Sequence, residues 1–76
     1  MVARAYILIE AQVGKSRDVI AALRALSNLS SVDIITGEFD MIALVVASDM
    51  VAMADLVTGL VQSTPGVTRT ITCVAA

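Results

Sequence analysis

Residues 32–47 of the chain read VDIITGEFDMIALVVA, two apolar stretches on either side of the short segment TGEFD. Both stretches are rich in β-branched residues, which favour extended strands. The segment between them, residues 36–40, contains Gly37, which can adopt the positive φ angle that many tight turns require. The pattern predicts a β-hairpin with strands over residues 32–38 and 40–47.

The segments on either side of this hairpin complete a pattern of strand, helix and strand that occurs twice. Strands are predicted over residues 5–11 and 67–74, which are rich in Ile, Val and Thr. Helices are predicted over about residues 16–26 and 49–62, because apolar residues recur there every three to four positions. The order βαββαβ is that of the α+β ferredoxin-like sandwich, a four-stranded antiparallel sheet with two helices on one face.

Each predicted helix begins at a residue that can cap it. Ser16 for the first helix, and Ser48 or Asp49 for the second, carry side-chain oxygens that can accept hydrogen bonds from first-turn N–H groups. The apolar residues that follow fall on one face of each helix. These predicted faces are Val19, Ala22, Leu23 and Leu26 in the first helix, and Met53, Leu56, Val57 and Leu60 in the second.

The strands are apolar on both faces. Ile7 and Ile9 alternate with Tyr6 and Leu8 in the first strand, and residues 41–47 are apolar throughout. An antiparallel sheet with one face in water should instead alternate apolar and polar residues. A composition of 58% hydrophobic and 16% charged residues is also more apolar than a 76-residue monomer can readily hide. The sequence therefore predicts a homodimer packed sheet to sheet.

Composition argues against several classes of protein. The longest apolar run, residues 41–47, is too short to span a membrane, and the N-terminus lacks the features of a signal peptide. One cysteine, Cys73, permits no internal disulfide and suits the cytoplasm. The five basic residues are scattered in a chain of net charge −2, which disfavours direct nucleic-acid binding. No metal-ligand spacing is present, so no metal or cofactor is predicted.

The turn is the strongest candidate for a binding site. Gly37 would permit close approach of a ligand, Asp40 would receive an ammonium group, and Phe39 would pack on an apolar side chain. The same letters are typical of an ordinary hairpin, in which Gly supplies the backbone conformation and Asp bonds to nearby amides. Taken alone, the five residues favour the hairpin interpretation.

Other polar residues give weaker signals. Thr68, Thr70 and Thr72 are predicted on one face of the last strand, where they offer hydroxyl groups or simply satisfy β-propensity, the interpretation we favour for Thr72. Cys73 has no histidine to activate it, so it is predicted to be a buried structural residue on the side that faces the helices. Without His, a Ser–His pair or a phosphate loop, an enzyme is not predicted.

Two motifs resemble the effector domain, or RAM domain, of the Lrp/AsnC transcription regulators. The first is V-x-x-x-x-G-x-[YF]-D, here residues 32–40, and the second is P-G-V-x-x-T-x-T, here residues 65–72. The resemblance implies a ferredoxin-like domain that dimerises through its sheets, assembles further, often into octamers or decamers, and binds a small amino acid between dimers. As ligand-binding residues it nominates Thr36, Gly37, Phe39 and Asp40, with Thr68 and Thr70 as weaker nominees.

The resemblance has one departure and leaves two alternatives. Full-length family members carry a helix-turn-helix domain before this one, whereas the first strand here begins by Ala5. Residues 1–76 are therefore expected to form a stand-alone module, acting by itself or with a full-length regulator. One alternative is a small dimeric ferredoxin-like enzyme of oxygenase or degradative type, with a closed cavity lined by Tyr6 and a carboxylate. The other is a purely structural oligomer.

Overall fold

A computed structural model describes residues 2–75 and has the predicted order βαββαβ. The strands form one antiparallel sheet in the order β2-β3-β1-β4, so the two apolar strands β1 and β3 are central. This is the ferredoxin-like sandwich. The elements are β1 Ala3–Ala11, α1 Ser16–Arg24, β2 Leu29–Ile34, β3 Met41–Ala47, α2 Met50–Leu56, a π-helical turn Val57–Val61 that continues α2, and β4 Val67–Ala75.

The core lies between the helices and one face of the sheet. Alternate residues of the central strands point toward the helices and are buried, with Ile7 and Ile9 fully inaccessible to solvent. The remaining core residues are Ala5, Val32, Met41, Ala43, Val45 and Ala47 from the sheet, and Val19, Ile20, Leu23, Met53, Val57 and Val61 from the helical segments.

The opposite face of the sheet is also apolar, but no element of residues 2–75 covers it. Strand register assigns its residues, because partners in an antiparallel pair project to the same side. Charged side chains of Arg4, Glu10, Asp33 and Arg69 share this face. Its apolar centre, here named the open face, consists of Tyr6, Leu8, Ile42, Leu44, Val46, Ile71 and Cys73.

The position of Cys73 differs from the sequence prediction. It pairs with Tyr6 in the β1–β4 register, so it lies on the open face and is exposed. The prediction that Cys73 and Ile71 lie on the same side of the strand is correct. The prediction that this side faces the helices was wrong. The edge strand β4 carries apolar residues on both faces, so its sequence does not indicate which face the helices cover.

The first strand of the hairpin is shifted toward the N-terminus relative to the prediction, whereas the second, β3, starts one residue later than predicted, at Met41. β2 begins at Leu29 rather than Val32 and ends at Ile34 rather than at residue 38. Leu29 pairs with Val45, and after a shift of register between Leu29 and Ser31 the ladder resumes with Ser31 opposite Leu44. Pairing with a central strand overrides the low apolar content of this segment.

The helices follow the prediction in extent but differ in detail. Asp49 caps α2, accepting a 2.8 Å hydrogen bond from the Ala52 N–H. The predicted cap at Ser16 was wrong: the helix starts there, and the preceding residue makes no side-chain cap. In α1, Ile20 rather than Ala22 is buried, because the face turned to the sheet is rotated by part of a turn.

The second helix ends in a wider, π-helical turn. The Gln62 N–H donates to the Val57 carbonyl at 2.9 Å, an i→i+5 bond. The extra residue in this turn changes which side chains face the core. Val57 and Val61 are buried, whereas Leu60, predicted on the apolar face, is only half-buried. Among residues 2–75, no helix has the length and apolar character required to cross a membrane.

Candidate functional site

The segment TGEFD forms the tip of the β2–β3 hairpin. The Ile35 N–H donates to the Asp40 carbonyl at 3.0 Å, which closes the turn after the last strand pair. Gly37 has φ +134°, a conformation that side chains strain to adopt, and a Cβ atom there would meet nothing within 4 Å. The glycine therefore serves the backbone conformation of the turn rather than tight packing. Thr36 and Glu38, on either side of it, are exposed.

Asp40 joins this turn to the end of β1. Its N–H donates to the Ile9 carbonyl at 2.9 Å, and its Oδ2 accepts a 2.8 Å bond from the Ala11 N–H. The carboxylate is half-buried, and its Oδ1 accepts no hydrogen bond from residues 2–75. Asp40 therefore has a structural role in the hairpin and also one oxygen available to a ligand.

An irregularity in the β1–β4 pairing brings Thr68 to the same place. The register shifts between Glu10 and Ala11, which leaves Thr68 as an extra residue on β4. Its hydroxyl donates to the Glu10 carboxylate at 2.8 Å and lies 3.2 Å from the Glu10 carbonyl. A β-bulge re-aims side chains in this way.

The bulge also separates Thr68 from Thr70 and Thr72, with which it was predicted to share one face; Thr70 and Thr72 remain together. Thr70 pairs with Ile9 and points toward the helix side, where its hydroxyl accepts a 3.1 Å bond from Gln62. Thr68 instead bonds to Glu10, which lies on the open-face side. The prediction failed because strict alternation of side chains holds only while the ladder is regular.

A cleft of about 530 Å³ lies beside the turn and the bulge. Three carboxylates contribute to its wall, and no basic side chain does. Val13, in the loop after β1, is 98% exposed at its edge. The lining residues are Glu10, Ala11, Gln12, Val13, Glu38, Asp40 and Thr68.

Phe39 and Arg69 form a stacked pair next to this cleft. The Phe39 side chain is buried, at 7% exposure, but it lies apart from the core under the helices. The Arg69 guanidinium lies over its ring, 4.7 Å from the centroid, and one terminal nitrogen is 3.7 Å from Glu10 Oε2. Arg69 therefore covers the aromatic ring that was predicted to face a ligand.

The structure brings together only some of the nominated residues. Asp40 and Thr68 line the cleft, Thr36 and Gly37 lie on the exposed turn, and Phe39 lies beneath a cation. Thr70 is on the other side of the sheet. Sequence reasoning did not nominate Gln12, Val13 or Arg69, and it did not place Glu10 and Glu38 in a ligand cleft. The meeting of Glu10 with Arg69 depends on the pairing of β1 with β4, which the sequence does not show.

The arrangement suits recognition of a small polar molecule. Carboxylates, a hydroxyl and an adjacent guanidinium offer hydrogen bonds of both polarities. Tyr6, required by the enzyme alternative to line a closed cavity, lies instead on the open face and is 42% exposed. Within residues 2–75, no three side chains of His, Cys, Asp or Glu are placed to hold a metal ion.

The chain matches a known protein family. The Lrp/AsnC ligand binding domain matches residues 4–76, which is nearly the whole chain. None of the curated protein sequences matches significantly.

Several solved structures share the fold of this chain. The chain resembles FFRP-DM1 at 26% identity with a TM-score of 0.91, over 97% of this chain and 99% of that one. It also resembles TTHA0845 from Thermus thermophilus, at 31% identity and a TM-score of 0.90, over 97% and 92% of the two chains. A Neisseria meningitidis transcriptional regulator, solved with L-methionine, shares the fold at 22% identity and a TM-score of 0.86, over 97% of this chain and 49% of that one.

Proposed function

Since the chain belongs to the Lrp/AsnC ligand-binding domain family, we propose that it is an effector module that binds a small amino acid and thereby controls assembly. It acts either by its own change of oligomeric state or by association with a full-length regulator of the same family. The role is regulatory, in the cytoplasm, and involves no catalysis.

The observation that carries the ligand half of the proposal is the cleft beside the β2–β3 turn. Asp40 holds the turn against β1 with one carboxylate oxygen and keeps the other for a ligand. Thr68 is oriented toward the same wall by the bulge in β4. A cleft of this size accommodates an amino acid, and its open side leaves room for a neighbouring dimer to complete it.

The open face supports the assembly half. It presents the side chains of Tyr6, Leu44 and Ile71 in the middle of the sheet, with charged residues sharing the same side. An apolar centre with polar surroundings is the usual anatomy of a protein interface. A second copy packed on this face would give a sheet-to-sheet homodimer, and dimers would then associate around the clefts into larger assemblies such as octamers or decamers.

The Neisseria meningitidis regulator that shares this fold was solved with L-methionine, so L-methionine is a ligand of particular interest in the test. Isothermal titration calorimetry against the twenty amino acids tests the proposal. The sample is first shown by light scattering to be assembled. We expect saturable heat with at least one amino acid and a change of mass on adding it. No heat with any of the twenty, from an assembled sample, would remove the ligand half.

A further inference from the structure

We propose that Arg69 is the specificity-determining residue that binds the α-carboxylate of the amino acid, and that Phe39 and Glu10 position it. The inference rests on the proposed function above, and adds to it a residue that no motif nominated. It also assigns the direction in which a zwitterion lies in the cleft.

The guanidinium of Arg69 is fixed in orientation by two neighbours. Phe39 lies beneath it at 4.7 Å from the ring centroid, a distance at which the cation is attracted to the face of the ring. Glu10 Oε2 lies 3.7 Å from one terminal nitrogen. Glu10 is itself held by the Thr68 hydroxyl, so the contacts form a chain from the bulge to the guanidinium.

Arg69 nevertheless has its donors free. A separation of 3.7 Å is too long for a hydrogen bond, and Arg69 donates none to any acceptor in residues 2–75. Its side chain is 54% exposed. A guanidinium that is oriented by an aromatic ring but not bonded presents a planar fork of N–H groups, which matches the geometry of a carboxylate.

The charges around the cleft give the ligand one orientation. Glu38 and Asp40 are in the cleft wall at the turn, whereas Arg69 is next to Glu10 at the bulge. Glu38 and Asp40 repel a ligand carboxylate at the turn and attract its ammonium group, whereas at the bulge Arg69 offsets the charge of Glu10 and is the group that attracts the carboxylate. The zwitterion therefore lies with its carboxylate toward Arg69 and its ammonium toward Asp40.

The burial of Phe39 indicates how the ring contributes to ligand binding. At 7% exposure the ring has little surface for a ligand, and the guanidinium covers it. Phe39 is therefore a positioning residue, which acts on the ligand through Arg69.

The experiment measures the preference for a free carboxylate. The probes are the twenty amino acids and their α-carboxamides, which lack the negative charge of the α-carboxylate, and binding is measured by calorimetry. Proteins compared are the wild type, Arg69→Gln, Arg69→Lys and the matched control Arg17→Gln, which removes an exposed arginine on α1. Light scattering on every variant records its assembly.

We expect the wild type to bind an amino acid at least about 10-fold more tightly than its carboxamide, because hydrogen bonds between charged groups are the strong ones. Arg69→Gln should weaken binding of the amino acid by about 10-fold or more and leave binding of the carboxamide unchanged. The preference for the free carboxylate would then be abolished. Arg69→Lys should restore part of it, since the charge returns without the fork. Arg17→Gln should match the wild type.

Three results would overturn the proposal. If Arg69→Gln binds the acid with an unchanged preference over the amide, Arg69 is not the anchor, while amino-acid binding stands. If both Arg69 variants bind the amino acid and the carboxamide equally weakly, and the mass of their assembly changes, Arg69 is an interface residue. If the assembled wild type binds none of the probes, both the proposed function and the role of Arg69 in binding the α-carboxylate are wrong.

Discussion

The two faces of the sheet have similar apolar composition but opposite environments. Ile7 points to the helices and is fully buried, whereas its neighbour Tyr6 points to the open face and is 42% exposed. Helices α1 and α2 account for this difference, because both pack on the same side. An apolar pattern thus indicates that a face of the sheet is buried in the functional protein. Only the arrangement of the elements shows whether the same chain buries it.

The largest expected effect is on the covered face. Ile7→Ala should lower the free energy of unfolding by about 2–5 kcal/mol, since it leaves a cavity in a packed core. Urea denaturation measures this loss, which should not vary with protein concentration. Leu8→Ala, one residue along and on the open face, should instead give a loss that grows with concentration, because its cover is another subunit. Equal, concentration-independent losses would show that the two faces do not differ.

On the open face, Leu44→Asp should raise the dimer dissociation constant at least about 30-fold, close to 2 kcal/mol, because a charge would be buried at the centre of the interface. Sedimentation equilibrium measures the constant. The matched control is Val51→Asp, which places the same charge on an exposed apolar residue of α2. An unchanged mass for Leu44→Asp would mean that the open face is not the interface.

At the end of the sheet, Asp40→Ala should reduce the free energy of unfolding by about 1–2 kcal/mol, because the Ala11 N–H loses a charged acceptor. It should weaken amino-acid binding by about 10-fold or more. Asp40→Asn keeps an acceptor for that N–H, so stability should largely return while binding stays weak. Recovery of both properties in Asp40→Asn would mean that the negative charge does not contact the ligand.

A smaller effect is expected where a covering helix begins. Asp49→Ala should cost about 1 kcal/mol in the free energy of unfolding, because the Ala52 N–H loses its cap. Asp49→Ser retains an acceptor and should restore most of the loss. Chemical denaturation distinguishes them, and a cost in both variants would point to a role other than capping.

The smallest effect on stability is expected at Cys73. Cys73→Ser should change the free energy of unfolding of the separated subunit by less than about 0.5 kcal/mol, since the thiol is exposed in a single subunit. The native thiol should react several-fold more slowly with Ellman's reagent in the assembled wild type than in Leu44→Asp. Equal rates would show that assembly leaves the open face uncovered.

Sequence patterns predicted the fold because they report local preference and burial. The hairpin at residues 36–40 and the cap at Asp49 depend on residues close in the chain. The strand start at Leu29 and the π-helical turn were not predictable in this way. Both depend on the packing of a segment against a distant strand or core, which overrides its own composition.

The candidate site was predicted less completely, and for a similar reason. Asp40 could be nominated because it belongs to a recognisable turn. Glu10 and Arg69 belong to the first and last strands and meet only because β4 pairs with β1. The bulge that brings Thr68 to the cleft has no signature in the sequence.

Residue type and spacing were enough to establish the order of strands and helices, the hairpin, and the presence of more apolar surface than one domain needs. The packed molecule was required to show which face the helices cover, which way Cys73 points, and that Arg69 lies over Phe39 beside the cleft. Those features depend on the register and irregularity of pairing between strands far apart in the chain, which periodicity within a single strand does not encode.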